Sequence, residues 1–83
     1  PNPFNPATNI RFVVGRSGPV RIEIFSVKGE RVRVLVAEER EAGAYTVRWN
    51  GTGDGGRPVP SGAYLCRIVN GGQVDTQPML LLK

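Results

Sequence analysis

Residues 49–64 read Trp-Asn-Gly-Thr-Gly-Asp-Gly-Gly-Arg-Pro-Val-Pro-Ser-Gly-Ala-Tyr, and the rest of the chain is organised around this stretch. A large aromatic residue stands at each end, and glycine, proline and short polar residues lie between them. Such residues supply positive φ angles, fixed φ angles and local side-chain hydrogen bonds, which are typical of turns and not of helices. The stretch therefore predicts a long β-hairpin that is clamped at its base by Trp49 and Tyr64.

Apolar residues alternate with other residues on both sides of this stretch, in residues 8–14, 19–25, 45–49 and 64–68. A period of two predicts strands that bury one face. The outward face of residues 19–25 is predicted to carry Arg21, Glu23 and Phe25. The side chains predicted to point inward are those of Ile10, Phe12, Val14, Val20, Ile22, Ile24, Tyr45, Val47, Trp49, Tyr64, Cys66 and Ile68.

Turn signals separate these strands. Gly29 in residues 27–30 and the run Asn-Gly-Gly at residues 70–72 predict two tight hairpin turns. A phase slip at Leu35 predicts a β-bulge or the end of that strand, and the charge-dense residues 37–42 predict a solvated loop. Pro78 within the last strand, residues 74–82, predicts an edge position or a bulge. We therefore predict one all-β antiparallel sandwich of six to seven strands over residues 8–83, preceded by a proline-rich lead-in at residues 1–7.

Length and composition argue against an enzyme. A chain of 83 residues forms one domain with a small core, and the absence of histidine removes the commonest general base and metal ligand. The neighbouring residues Glu38, Glu39 and Glu41 fit a solvated loop better than an acid–base pair. Cys66, the single cysteine, is predicted to be a small buried apolar residue, with a reactive or intermolecular thiol as the alternative. We predict no catalytic residue and no cofactor.

The start of the chain suggests a piece of a longer protein. The chain begins at Pro1 without an initiator methionine or a signal peptide, so we expect a fragment or a processed product. No apolar run approaches the roughly 18 residues that a membrane span needs, so we expect no membrane insertion.

Three residues in the central stretch form a weak calcium candidate. Asn50, Thr52 and Asp54 place oxygen atoms at alternate positions, as the start of an EF-hand loop does, but Ser61 stands where that loop needs a glutamate. The competing interpretation is a turn in which Asn50 and Asp54 accept backbone hydrogen bonds. The sequon at residues 50–52 also fits turn chemistry, and the glycines lack the Lys-Ser/Thr that a phosphate loop needs.

Two further binding classes depend on exposed side chains. Outward arginines beside Phe25 would suit an oligonucleotide, but they occupy positions where alternation requires polar residues, so we predict no nucleic-acid partner. Tyr45, Trp49 and Tyr64 are candidate platforms for a carbohydrate, but their phase predicts core positions. The arginines concerned are Arg11, Arg21, Arg31, Arg33, Arg48 and Arg67.

Five motifs in order resemble one family. They are Pro-Asn-Pro-Phe-Asn-Pro-Ala-Thr at residues 1–8, Val-Arg-Ile-Glu-Ile-Phe-Ser-Val-Lys-Gly at 20–29, Ala-Gly-Ala-Tyr-Thr-Val-Arg-Trp-Asn-Gly at 42–51, Pro-Ser-Gly-Ala-Tyr-Leu-Cys-Arg-Ile at 60–68 and Met-Leu-Leu-Leu-Lys at 79–83. Together they resemble the immunoglobulin-like domain of the flagellar hook-capping type. Closely similar domains serve as C-terminal sorting domains of proteins exported by type IX secretion. The resemblance implies an immunoglobulin-like β-sandwich.

The resemblance also implies a role and the residues that carry it. It implies a non-catalytic sorting or anchoring module of a secreted or cell-surface bacterial protein, recognised by the export machinery. The alternative is a structural or assembly module that contacts its upstream domain, a partner or like subunits. This chain departs from the sorting pattern at Asn50, Cys66 and residues 77–78. The recognition residues implied are Pro1, Asn2, Pro3, Phe4, Gly62, Tyr64 and Lys83.

Overall fold

The computed structural model describes residues 7–83, and six β-strands account for most of them. The predicted immunoglobulin-like β-sandwich is confirmed, because two antiparallel sheets pack face to face around the apolar residues. One sheet has the order β1-β4 and the other the order β3-β2-β5-β6. The strands are β1 (Thr8–Val14), β2 (Gly18–Ser26), β3 (Arg31–Arg40), β4 (Gly43–Trp49), β5 (Gly62–Asn70) and β6 (Gln73–Leu81).

The central stretch crosses between the sheets, so the prediction of a long hairpin at residues 49–64 is wrong. β4 pairs with β1, whereas β5 pairs with β2 and β6. Residues 50–61 are numerous enough to bridge the ~10 Å between stacked sheets. Trp49 and Tyr64 nevertheless form the predicted clamp, with ring centroids 5.1 Å apart and ring planes at 75°. The clamp therefore joins the two sheets through the core.

The buried core matches the alternation of the sequence. The inward residues of β1 and β2 are buried, as are Trp49, Tyr64, Cys66 and Ile68. Tyr45 and Val47 are half-buried and pack against this core. The Tyr45 ring stacks on Phe12 at a centroid distance of 5.4 Å. Alternation alone thus identified the faces of β1, β2, β4 and β5 that the sandwich encloses.

Local turn chemistry explains most strand boundaries. Gly29 has a φ of 88° in the β2–β3 turn, as predicted. Residues 71–72 form the predicted β5–β6 turn, where Gly71 has a φ of 60°. Ile22 pairs with Val36 and Glu23 with Val34, so Leu35 is the extra residue of a bulge, as predicted. β6 is an edge strand, which accommodates Pro78 as predicted.

The prediction of a solvated loop at residues 37–42 is wrong for most of its length. β3 continues to Arg40, and its charged residues Glu38 and Glu39 pair with the start of β2. β3 is an edge strand of the four-stranded sheet. Charged side chains remain solvated on such an edge and discourage pairing with other chains, so a charge-dense sequence is compatible with a strand there.

Cys66 is fully buried in the core, which fits the prediction of a small apolar role. Burial raises the pKa of its thiol from 9.0 to about 11, and the nearby Asp75 carboxylate adds to this effect. The folded chain therefore favours the neutral thiol, which is a poor nucleophile. The alternative of a reactive thiol in the native domain has no support in this geometry.

We predict that Cys66 resists thiol reagents in the native chain near neutral pH and reacts once urea unfolds it. Because the folded pKa is raised, the stabilisation from the neutral thiol is complete below pH 9.0 and is lost as the pH rises towards about 11. Denaturation curves of the wild type and of Cys66→Ala, measured across this range, test the second point. A constant difference in stability between the two chains would contradict it.

Candidate functional site

The crossing segment, residues 50–61, is held against β3 by polar contacts. The Arg33 guanidinium donates to Asn50 Oδ1 at 3.0 Å and to Thr52 Oγ1 at 2.6 Å. The Thr52 hydroxyl also donates to Asn50 Oδ1 at 2.6 Å. Arg33 pairs with Ile24, between the two register shifts of β3 relative to β2. A cationic side chain thus contacts the oxygen atoms of the first two residues of the calcium candidate, Asn50 and Thr52.

Asp54 forms a second attachment to the same strand. Its Oδ1 atom accepts a hydrogen bond from the Val34 backbone N–H at 2.8 Å, and its own N–H donates to the Val32 carbonyl at 3.0 Å. The Arg31 guanidinium lies 3.7 Å from the other carboxylate oxygen. These two hydrogen bonds to the β3 backbone attach the crossing segment to that strand. Sequence reasoning anticipated turn hydrogen bonds here, but not this long-range attachment.

The oxygen atoms of the calcium candidate are therefore already used by the protein. A calcium ion bound by Asn50, Thr52 and Asp54 would compete with the Arg33 cation and with the Val34 N–H. In residues 7–83 no three side chains of the histidine, cysteine, aspartate and glutamate types cluster in a manner suited to a metal. The hydrogen bonds of Asn50, Thr52 and Asp54 therefore have a structural role, because they hold the crossing segment against β3.

Trp49 and Tyr64, on either side of the crossing segment, and Tyr45 in β4 serve the core. Trp49 is 0% exposed and donates its indole N–H to the Thr52 carbonyl at 2.8 Å. Tyr64 is 7% exposed and donates its hydroxyl to the Pro60 carbonyl at 2.6 Å. The half-buried Tyr45 ring is covered by the Arg40 guanidinium at 4.9 Å from the centroid. These three aromatics therefore do not form an exposed carbohydrate platform.

The described recognition residues come together at one end of the sandwich. Gly62 pairs with Leu81, and the Lys83 backbone N–H donates to the Ser61 hydroxyl at 3.1 Å. β1 begins at this same end, where the Thr8 hydroxyl donates to the Leu80 carbonyl at 3.3 Å. The other predicted recognition residues, Pro1, Asn2, Pro3 and Phe4, lie outside the described residues.

These recognition residues differ in how accessible they are. The Tyr64 side chain is enclosed, and Gly62 has a φ of 151°, a backbone conformation that favours glycine. The Gly-x-Tyr element therefore has a structural reason at both positions. Lys83 is exposed, and Leu82 beside it is 74% exposed. The residues that follow β6 are therefore more accessible at this end than the Tyr64 ring.

Glu23 forms an ionic cluster that sequence reasoning missed. It lies on the outward face as predicted, but it is only 8% exposed. Its carboxylate lies 3.4 Å from Arg21, 3.7 Å from Arg31 and 3.9 Å from Arg67. The sequence contained one indication of this cluster, namely outward residues of opposite charge on different strands. The register of the strands places Arg67 directly opposite Glu23. These arginines are thus engaged by the protein itself and do not form a free basic stripe.

Comparison with known proteins identifies a family. Residues 8–73 match the family model described as the FlgD Ig-like domain. A search of curated proteins gave no match to the chain. In the part of the chain that the structure describes, no helix has the length and hydropathy that a membrane crossing requires.

We predict that Asp54→Ala lowers the free energy of unfolding by about 1 kcal/mol, because the Val34 N–H loses its acceptor. Asp54→Asn keeps an oxygen at this position and should retain most of the stability. Urea denaturation followed by the fluorescence of Trp49, the single tryptophan, measures both effects. Equal losses in the two variants would show that the charge of Asp54, and not its backbone hydrogen bond, matters.

We predict that Glu23→Ala lowers the free energy of unfolding by about 1–2 kcal/mol, because three arginines then repel one another without a shared anion. High salt should reduce this loss by screening the repulsion. Glu39→Ala, at an exposed position of β3, is the matched control and should change stability little. A salt-independent loss would refute the ionic explanation.

Proposed function

Because the chain belongs to the FlgD Ig-like domain family, we propose that it is a non-catalytic sorting or anchoring module of a secreted bacterial protein, recognised by the type IX secretion machinery. Family membership makes the chain a structural immunoglobulin-like module. The proposal adds a C-terminal position in its parent protein and a location outside the cell or at its surface. Its partners are proteins, and it needs no cofactor, nucleic acid or membrane insertion.

One observation carries the sorting proposal: an accessible end of the sandwich where the polypeptide leaves β6. Leu80 and Leu82 are largely exposed there, and Lys83 follows them. The hydrogen bonds from Thr8 to Leu80 and from Lys83 to Ser61 hold this segment against the starts of β1 and β5. A fixed, apolar and basic segment is suited to recognition by another protein, because little conformational entropy is lost when it binds.

A second function, assembly, is favoured by the edges of the small sheet. Within the described residues, β1 pairs only with β4, so one side of β1 presents backbone groups without a strand partner. Strand addition to such an edge is a common mode of protein recognition. We propose this structural role, in a surface filament, a hook-like structure or an enzyme accessory domain, as the alternative to sorting.

A reporter fusion tests the sorting proposal. Residues 1–83 are fused to the C-terminus of a periplasmic reporter in a host with a functional type IX system. We expect export of the reporter to the surface or the medium, and we expect Lys83→Glu to reduce it by reversing the charge of the exposed end. Lys28→Glu, in the β2–β3 turn, is the charge-matched control and should preserve export.

The result that would contradict this proposal is a folded fusion that stays in the periplasm. Folding is checked by the fluorescence of the buried Trp49. For the assembly alternative, size-exclusion chromatography with light scattering should show oligomers that grow with concentration. A strict monomer would argue against assembly from like subunits.

A further inference from the structure

A groove of about 1080 Å³ lies between the two sheets on the side of β1 that faces away from β4. It is bounded by β1, by the β1–β2 turn and by the β5–β6 hairpin. The residues most relevant to recognition are Arg11, Val13, Arg16, Ile68, Asp75 and Gln77. All of them lie within the described part of the chain.

The groove exists because the two sheets differ in size. A sheet of two strands covers only part of a sheet of four, and the uncovered part belongs to β5 and β6. Hydrogen bonds bridge the sheets at both ends of the opening. The Thr8 hydroxyl donates to Leu80 at one end, and the Asn70 amide donates to the Arg16 carbonyl at 3.2 Å at the other. The middle of β1 therefore faces this groove, called the channel below, whose two ends are marked by these hydrogen bonds.

The walls of this channel suit an extended polypeptide. Among the described residues β1 has a strand partner on one side only, so its other side can hydrogen-bond to an added strand. Ile68, which is almost fully buried, and the half-buried Gln77 belong to the inner face of the four-stranded sheet and form part of the channel wall, beside the exposed Asp75. An added strand would direct every second side chain towards this wall and the others towards solvent.

The charges around the channel favour an acidic occupant. Arg11 and Arg16 line its β1 side, whereas Asp75 is the one carboxylate in its lining. The Arg11 side chain shares the outward face of the small sheet with Thr46, its cross-strand partner. An added strand would therefore place its solvent-directed residues beside Arg11, at the ~5 Å separation of cross-strand neighbours. The net charge of the chain, +4, acts in the same direction at longer range.

We propose that this groove accepts an extended segment of a partner protein, which pairs with β1 as a third strand and alternates apolar and acidic residues. The apolar residues face Ile68 and Gln77, and the acidic residues face solvent beside Arg11. This inference rests on the assembly role proposed above and specifies the chemistry of the partner. It does not depend on the sorting proposal.

A synthetic peptide tests the proposal. The peptide alternates valine and glutamate and has the length of β1, 7 residues; a second peptide replaces glutamate with lysine. Each is titrated into the isotopically labelled chain of residues 1–83 while amide signals and hydrogen exchange are recorded by NMR. We expect the valine–glutamate peptide to shift the amides of residues 9–13 and to slow their exchange. The valine–lysine peptide should bind more weakly.

Matched variants locate the binding site. Gln77→Trp fills the channel and should abolish binding, whereas Thr76→Trp places the same ring on the opposite face of β6 and should preserve it. Arg11→Glu should weaken binding about fivefold by exchanging an attractive pair for a repulsive one. Arg48→Glu, on the neighbouring strand, should have a smaller effect. Trp49 fluorescence confirms that variants retaining only the native tryptophan are folded, and the dispersion of amide signals does so for the tryptophan variants.

Three results would overturn the proposal. They are no binding of the valine–glutamate peptide, changes confined to other strands, and a chain that dimerises through residues 9–13 without peptide, which would assign the groove to a second copy. Failure of the peptide together with successful export of the reporter would reject the groove and leave the sorting proposal intact.

Discussion

The structure depends on the contact between Trp49 and Tyr64, which joins the end of β4 in one sheet to the start of β5 in the other. Both rings are buried, and each donates its polar hydrogen to a carbonyl of the crossing segment, Thr52 or Pro60. The crossing segment therefore closes around the aromatic pair while satisfying the polar atoms that the pair buries. Together with the buried side chains of β1, this contact holds the two-stranded sheet over the four-stranded one.

This constraint separates the parts of the molecule that make the fold from those that are available to partners. The oxygens that suggested calcium are used by Arg33 and the β3 backbone, and three of the arginines that suggested nucleic acid surround Glu23. Among the surfaces that remain accessible are the segment after β6 and the unpaired side of β1. Both are surfaces of the kind that the proposed protein contacts require, and the chain is a structural module of the FlgD Ig-like family.

The sequence predicted the strands and their buried faces well, because alternation and turn residues act locally. The sequence correctly predicted a bulge at Leu35, a turn at Gly29 and an edge strand or bulge at Pro78. The sequence did not predict contacts between residues that lie far apart in the chain. Nothing local distinguishes a hairpin from a crossing between sheets at residues 50–61, and nothing local shows that Arg67 lies opposite Glu23. The accessible end and the groove depend on sheet order, which only the tertiary structure supplies.

We propose that partners contact the exposed end and edges of the sandwich, whereas the Gly62–Tyr64 element serves the folding of the domain. The most direct test is the exported fraction of a reporter fused to Tyr64→Phe, measured together with the stability of that domain. This substitution keeps the ring in the core and removes its hydrogen bond to Pro60, at a cost of about 1 kcal/mol. We expect export at the wild-type level. Loss of export from a folded Tyr64→Phe fusion would contradict it.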